Sequence, residues 1–128
     1  MNKTIFCNGI FFDVLAVILG DVVAHGLDNI ISASEKETFK TGVTYQMYHA
    51  ILLLILGSLK SIPVKERKVV FYFLVAGIIF FSFSIYFLAT NSLTGFDFKS
   101  IGIITPIGCF LLIIGWLLLG YQAYRKFN

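Results

Sequence analysis

Four long apolar stretches constrain this chain more than any other feature. A helix needs roughly 20 mostly apolar residues to cross the hydrocarbon core of a bilayer. Residues 5–25, 43–59, 69–90 and 101–124 meet or approach that length, and together they take up about two thirds of the 128 residues. What remains between them is too short for a soluble domain. The expected organisation is therefore one integral membrane domain over residues 1–128.

Composition points the same way. The chain is 58% apolar and only 13% charged, where a soluble domain carries about a quarter charged residues. Its mean hydropathy is +0.88. A soluble globular domain, a disordered chain and a disulfide-rich secreted module are all excluded. A membrane β-barrel fits poorly, because its strands alternate apolar and polar residues. Residues 51–56 and 78–81 are apolar at every position, as in buried or lipid-facing helices. The expected fold is all-α: a four-helix transmembrane bundle.

The second stretch is the shortest. It is expected to continue outward as helix, because Ser34-Glu35-Lys36-Glu37 reads as a capping box with Ser34 at the N-cap. The first stretch is too long for the apolar region of a signal peptide and has no small-x-small cleavage site, so it reads as a span. Cys7 and Cys109 are expected at different depths, as packing residues and not as a disulfide.

Lysine and arginine set the orientation. Lys3, Lys60, Lys65, Arg67, Lys68, Arg125 and Lys126 fall on one side of a four-span chain, and Lys36, Lys40 and Lys99 on the other. Seven against three puts both termini in the cytoplasm. The net charge of +3 is thus a topology signal, and the few loop-bound cations are no nucleic-acid footprint. The expected location is the cytoplasmic membrane, crossed several times.

Polar side chains inside a membrane are costly, so their positions are informative. His25 closes the first span. Tyr45, Gln46, Tyr48 and His49 open the second. Ser82, Ser84 and Tyr86 lie in the outer half of the third, and Thr105-Pro106 begins the fourth. All map to the extracytoplasmic half. Tyr45 and His49, Ser82 and Tyr86, and Asp21 and His25 are each spaced i, i+4, so each pair shares a helix face. His25, Tyr45, Gln46, His49, Ser82, Tyr86 and Thr105 are the candidate ligand or polar-cluster residues. They can act as interhelical fastening or line a site for an ion, a lipid headgroup or a small ligand. A metal site from the two histidines and Asp21 lacks any His-x-x-x-His or Glu-x-x-x-His pair, and neither a metal nor a cofactor is expected.

Asp13 and Asp21 are the carboxylates of the first span. Gly9, Asp13, Ala16, Gly20 and Ala24 share a mostly small stripe. Asp13 is therefore expected to face protein and to bond a backbone carbonyl or a tyrosine, with a proton-relay or subunit-contact role as the alternative. Gly108 and Gly115, seven apart, predict a close helix contact. Pro106 either kinks a continuous fourth helix or starts it behind a Thr105 N-cap. Trp116, Tyr121 and Tyr124 approach the cytoplasmic interface, where aromatic belts occur.

Ala24-His25-Gly26-Leu27, the run from Thr41 through Tyr45-Gln46-Met47-Tyr48-His49-Ala50, Ser82-Phe83-Ser84-Ile85-Tyr86, Ile104-Thr105-Pro106-Ile107-Gly108 and Gly115-Trp116-Leu117 carry a resemblance. The chain resembles, over nearly its whole length, the small membrane proteins called domain of unknown function 423, whose animal relatives are transmembrane protein 256. The resemblance implies four spans, a cytoplasmic-membrane location in bacteria and no established activity. The family motif matches at His25, Gly26, Gln46, Tyr48, His49, Ser82, Tyr86, Thr105, Pro106 and Gly108. The chain departs from it around Asp13 and at Asp21-Val22-Val23, so roles for those aspartates would belong to a subgroup.

The expected function is that of a non-enzymatic accessory protein or a small-ligand or lipid-binding module. The lipid bilayer is the expected partner, with a homo-oligomer or a membrane-protein partner beside it. Alternatives are a subunit of a transporter or channel-like homo-oligomer and, less favoured, an intramembrane enzyme using His25 and His49.

Overall fold

The computed structural model describes residues 2–27, 29–93 and 102–126. Four long helical rods are built from them: α1 (Lys3–Gly26), α2 (Ala33–Ser58), α3 (Val64–Ala89) and α4 (Ile104–Lys126). No strand occurs among the described residues. α1, α3 and α4 are long and apolar enough to cross a membrane. α2 is as long as α3, at 26 residues, but Glu35, Lys36, Glu37, Lys40, Gln46 and His49 dilute its first two thirds.

Both ends of the molecule are knitted by hydrogen bonds. At one end Asn2 caps α1, its Oδ1 accepting from Ile5 N at 3.1 Å. The backbone N–H of Asn2 donates to Gly57 O at 2.7 Å. Arg67 Nη1 donates to the same carbonyl at 3.1 Å. Gln122 Nε2 reaches Glu66 O at 2.9 Å, and Lys126 pairs with the Glu66 carboxylate at 3.6 Å. Contacts from all four rods therefore meet at this end. Arg67, placed by the sequence among exposed loop cations, is helical and 3% exposed.

At the opposite end a capping box starts α2, two residues before the expected one. Ser32 is the N-cap: its Oγ accepts from Glu35 N at 3.1 Å, and Glu35 Oε1 accepts from Ser32 N at 2.8 Å. Both serines fit the Ser-x-x-Glu pattern. A contact distant in sequence accompanies the earlier register: Ser92, just beyond α3, donates to Glu35 Oε2 at 2.9 Å.

α2 and α3 form the centre. Leu53, Leu56, Val70, Leu74 and Ile78 have no exposed surface. α1 packs on α2, burying Ile5 and Phe12, and α4 packs on α3, burying Leu112. Each seam depends on glycine. A methyl group on Gly9 would press on Ala50 O and Leu54, and one on Gly108 would collide with the backbone of Phe80 and Phe81. Gly115 faces Leu74, so the expected Gly108–Gly115 contact face is the α3–α4 seam. Where Gly108 presses in, α3 loosens into a π-helical turn, Ile79–Phe83. α1 ends in another, Val22–Gly26.

α4 starts at Ile104. Pro106 lies in its first turn, where the missing N–H costs no helical bond, so proline starts the rod and does not kink it. The expected span began at Ile101, which lies outside the described residues, as does Lys99. Cys7 is exposed, Cys109 half-buried, and both are free.

Candidate functional site

Gln46 is fully buried at the α1–α2–α3 junction. Its Nε2 donates to Phe12 O of α1 at 2.8 Å, and its Oε1 accepts from the Tyr86 hydroxyl of α3 at 2.6 Å. One amide thus ties three helices, using the second lone pair of a helical carbonyl as acceptor. Tyr86 reaches Gln46 because Gly42 lies in the path of its ring. A Cβ on Gly42 would lie 2.7 Å from Tyr86 Cε1. Phe39 and Phe83 hold the ring, at centroid distances of 4.7 and 5.8 Å.

The π turn of α3 serves two neighbours. Ser82 Oγ donates to Gly42 O of α2 at 2.8 Å. Ser84 Oγ lies 2.6 Å from Thr105 Oγ1 of α4 and 2.9 Å from Phe81 O. Ser84 donates to one of these, and the Thr105 hydroxyl can supply the proton between the pair. Both serines are buried, so the turn fastens α3 to α2 on one side and to α4 on the other.

His49 lies nearer the middle of the rods. Its Nδ1 is 2.6 Å from Tyr45 O, and its Nε2 is 3.0 Å from Trp116 Nε1. A carbonyl can only accept and an indole N–H can only donate, so the tautomer is fixed with the proton on Nδ1 and Nε2 accepting. Both ring nitrogens are engaged, and neither is left for a substrate or metal. Trp116 had been expected in the interfacial belt. Its indole instead bridges α4 to α2, two helices with no other substantial packing between them. Nothing in the local sequence marks that pairing.

The side chains of the other candidates make no hydrogen bond to this network. Tyr45 is 40% exposed and stacks on Phe81 at 5.0 Å. His25 and Asp21 do pair, Nδ1 to Oδ1 at 3.0 Å, but their side chains are 80% and 76% exposed. The spacing predicted the pair; the outward face of the π turn keeps it away from the network. No group of three metal-ligating side chains occurs among the described residues. Asp13 has neither the carbonyl nor the tyrosine partner expected for it. Its Oδ1 is buried with no hydrogen-bond partner.

Apolar rods fastened by a buried polar network define a helical membrane protein. The comparisons with known proteins agree. The family model described as "Protein of unknown function (DUF423)" matches residues 19–109. The chain is 38% identical to a UPF0382 membrane protein of Staphylococcus saprophyticus over 88% of this chain and 89% of that one. It is 34% identical to one of Haemophilus influenzae (86% and 85% covered) and 33% to one of Bacillus subtilis (88% and 89%). The chain belongs to the DUF423 family. No solved structure matches it. The matched stretch contains Gln46, His49, Ser82, Tyr86 and Thr105, while Asp13 and Trp116 lie outside it.

Proposed function

We propose that the protein is a non-catalytic accessory protein of the cytoplasmic membrane, a single domain crossing it four times with both termini in the cytoplasm. The observation that carries this reading is the closure of the polar cluster. Gln46 uses both ends of its amide and His49 both ring nitrogens. General acid–base work needs a group free to meet a substrate, and ligand sites offer convergent polar atoms in a pocket. The cluster instead spends its polar atoms on its own helices. Four spans are favoured because Gln46 and His49, the uncharged polar groups within the apolar part of α2, are answered by protein. The orientation rests on the lysine and arginine bias.

Single cysteines in a Cys7→Ser, Cys109→Ala background test the topology. An impermeant maleimide added outside intact cells should label Ser34→Cys and leave Ser61→Cys untouched. Labelling of Ser61→Cys would overturn it. Native mass spectrometry tests the closed cluster. Released protein should carry lipids only. A stoichiometric small molecule that is lost in Gln46→Met would show the cluster to be a ligand site.

A further inference from the structure

Asp13 is the intramembrane carboxyl that the cluster does not absorb. It neighbours Phe12, whose carbonyl takes Gln46, so it lies at the depth of the cluster. It is the eleventh of the 24 residues of α1, roughly 15 Å along the rod from its start at 1.5 Å per residue. Its carboxyl has no hydrogen-bond partner among the described residues: Oδ1 is enclosed by the chain itself, and the rest of the side chain is what faces outward. The side chain lines an open groove of about 370 Å³ between α1 and α2, completed by Val14, Val17, Ile18, Met47 and Ile51.

The apolar walls alone give no reason for a partner, since lipid tails cover them as well as leucine would. The carboxyl differs. Hydrocarbon has neither donor nor acceptor, and water and headgroups lie about half a bilayer away. Whatever meets Asp13 must be carried to that depth by another membrane-embedded segment.

We propose that this groove is an interface between two copies of the chain, with Asp13 of each copy meeting its counterpart. Copies inserted in one orientation are related by an axis along the membrane normal. A two-fold axis so directed sets each central residue against itself at equal depth. The group placed there must be self-complementary. A carboxyl pair that retains a proton meets that condition, one member donating and the other accepting. Val14, Val17 and Ile18, 54%, 62% and 53% exposed, form the ridge that packs against the second copy. The proposal rests on α1 lying in the membrane, as in the reading above.

The test uses the full chain in liposomes of bacterial lipid, with Cys7→Ser and Cys109→Ala. On oxidation, Val17→Cys should give a disulfide-linked dimer, and Leu117→Cys, on the exposed face of α4, should not. Association is then read by energy transfer between labelled copies. Asp13→Asn keeps a donor and an acceptor and should associate within about threefold of the parent. Asp13→Leu should be weaker by about tenfold. Helix content and the emission of Trp116, the only tryptophan, should be unchanged in both, which separates lost association from lost fold. A monomeric parent, crosslinking at Leu117→Cys and not Val17→Cys, or equal association of Asp13→Leu would each overturn the proposal. Maleimide labelling that removes α1 from the membrane defeats the topological reading. Correct labelling with a monomeric protein defeats this one alone.

Discussion

Gln46 shows how much one residue can hold in an apolar setting. Replacing it with leucine keeps the volume roughly constant but takes a partner from two groups: the second lone pair of Phe12 O, which still has its helical bond, and the Tyr86 hydroxyl, which loses its acceptor at 2.6 Å. The hydroxyl is the costlier loss, because an unpaired buried donor bears its desolvation penalty. Gln46→Leu should therefore destabilise the protein by about 1–2 kcal/mol, within the range for interhelical hydrogen bonds in membranes. Tyr86→Phe removes only the donor and should cost about 1 kcal/mol or less. The double variant should cost less than the sum, because each single change already breaks the same bond. Unfolding in mixed micelles measures all three, and strict additivity would refute the Gln46–Tyr86 bond. These residues were legible in the sequence because a polar side chain inside an apolar run has few physical reasons to be there. Trp116 and Arg67 were not. An aromatic near a helix end reads as an interfacial anchor, and a cation near a loop reads as a solvated one. Only the neighbouring helices show that the indole meets His49 and the guanidinium caps Gly57 O.

At the scale of the element, the start of α2 joins sequence pattern to tertiary contact. The capping box was legible as a motif but not in register, since Ser32 and Ser34 both precede a glutamate by three residues. The π turn Ile79–Phe83 had no signal at all, because it answers the backbone approach of Gly108 from another helix. The hydrogen bond from the Ser32 backbone holds the Glu35 carboxyl below the usual glutamate range, with the Ser92 and Ser32 hydroxyls adding to the effect. A carboxylate with a lowered folded-state pKa contributes its stabilisation above its unfolded value, and loses it as pH falls through the lowered one. Hydrogen exchange at residues 33–38 should therefore be slow near neutral pH and accelerate in acid below the ordinary glutamate range, after correction for intrinsic rates. Ser32→Ala removes the N-cap and should cost about 1 kcal/mol of local stability. It should also reduce the acid-dependent part, because one of the bonds to Glu35 is weakened. Ser34→Ala should leave both unchanged. The reverse pattern would return the box to the register that the sequence first suggested.

For the whole molecule, the unresolved choice of an isolated chain is which end faces the cytoplasm, and packing cannot make it. The hydrogen bonds that gather Asn2, Gly57, Glu66 and Lys126 hold equally well either way up. Orientation is decided during insertion by cations that resist translocation. Arg67 belongs to that count even though the folded protein buries it, because burial follows insertion. Lys60, Lys65 and Lys68 are exposed and make no contact that the fold needs, so they separate topology from stability. Changing these three to glutamine lowers the bias from seven against three to four against three. The expected result is a mixed population, in which the impermeant maleimide labels Ser34→Cys incompletely and Ser61→Cys partially. Helix content and the Gln46-dependent stability should be retained in each orientation, since the network that fastens the helices contains none of these lysines. Arg67→Met is the complementary case. It removes one cation from the count, which should leave the orientation intact, but takes a donor from Gly57 O and should loosen the end where the rods meet. If the triple lysine variant keeps a single orientation, the lysine and arginine bias is not what orients this chain, and the cytoplasmic placement of its termini loses its support.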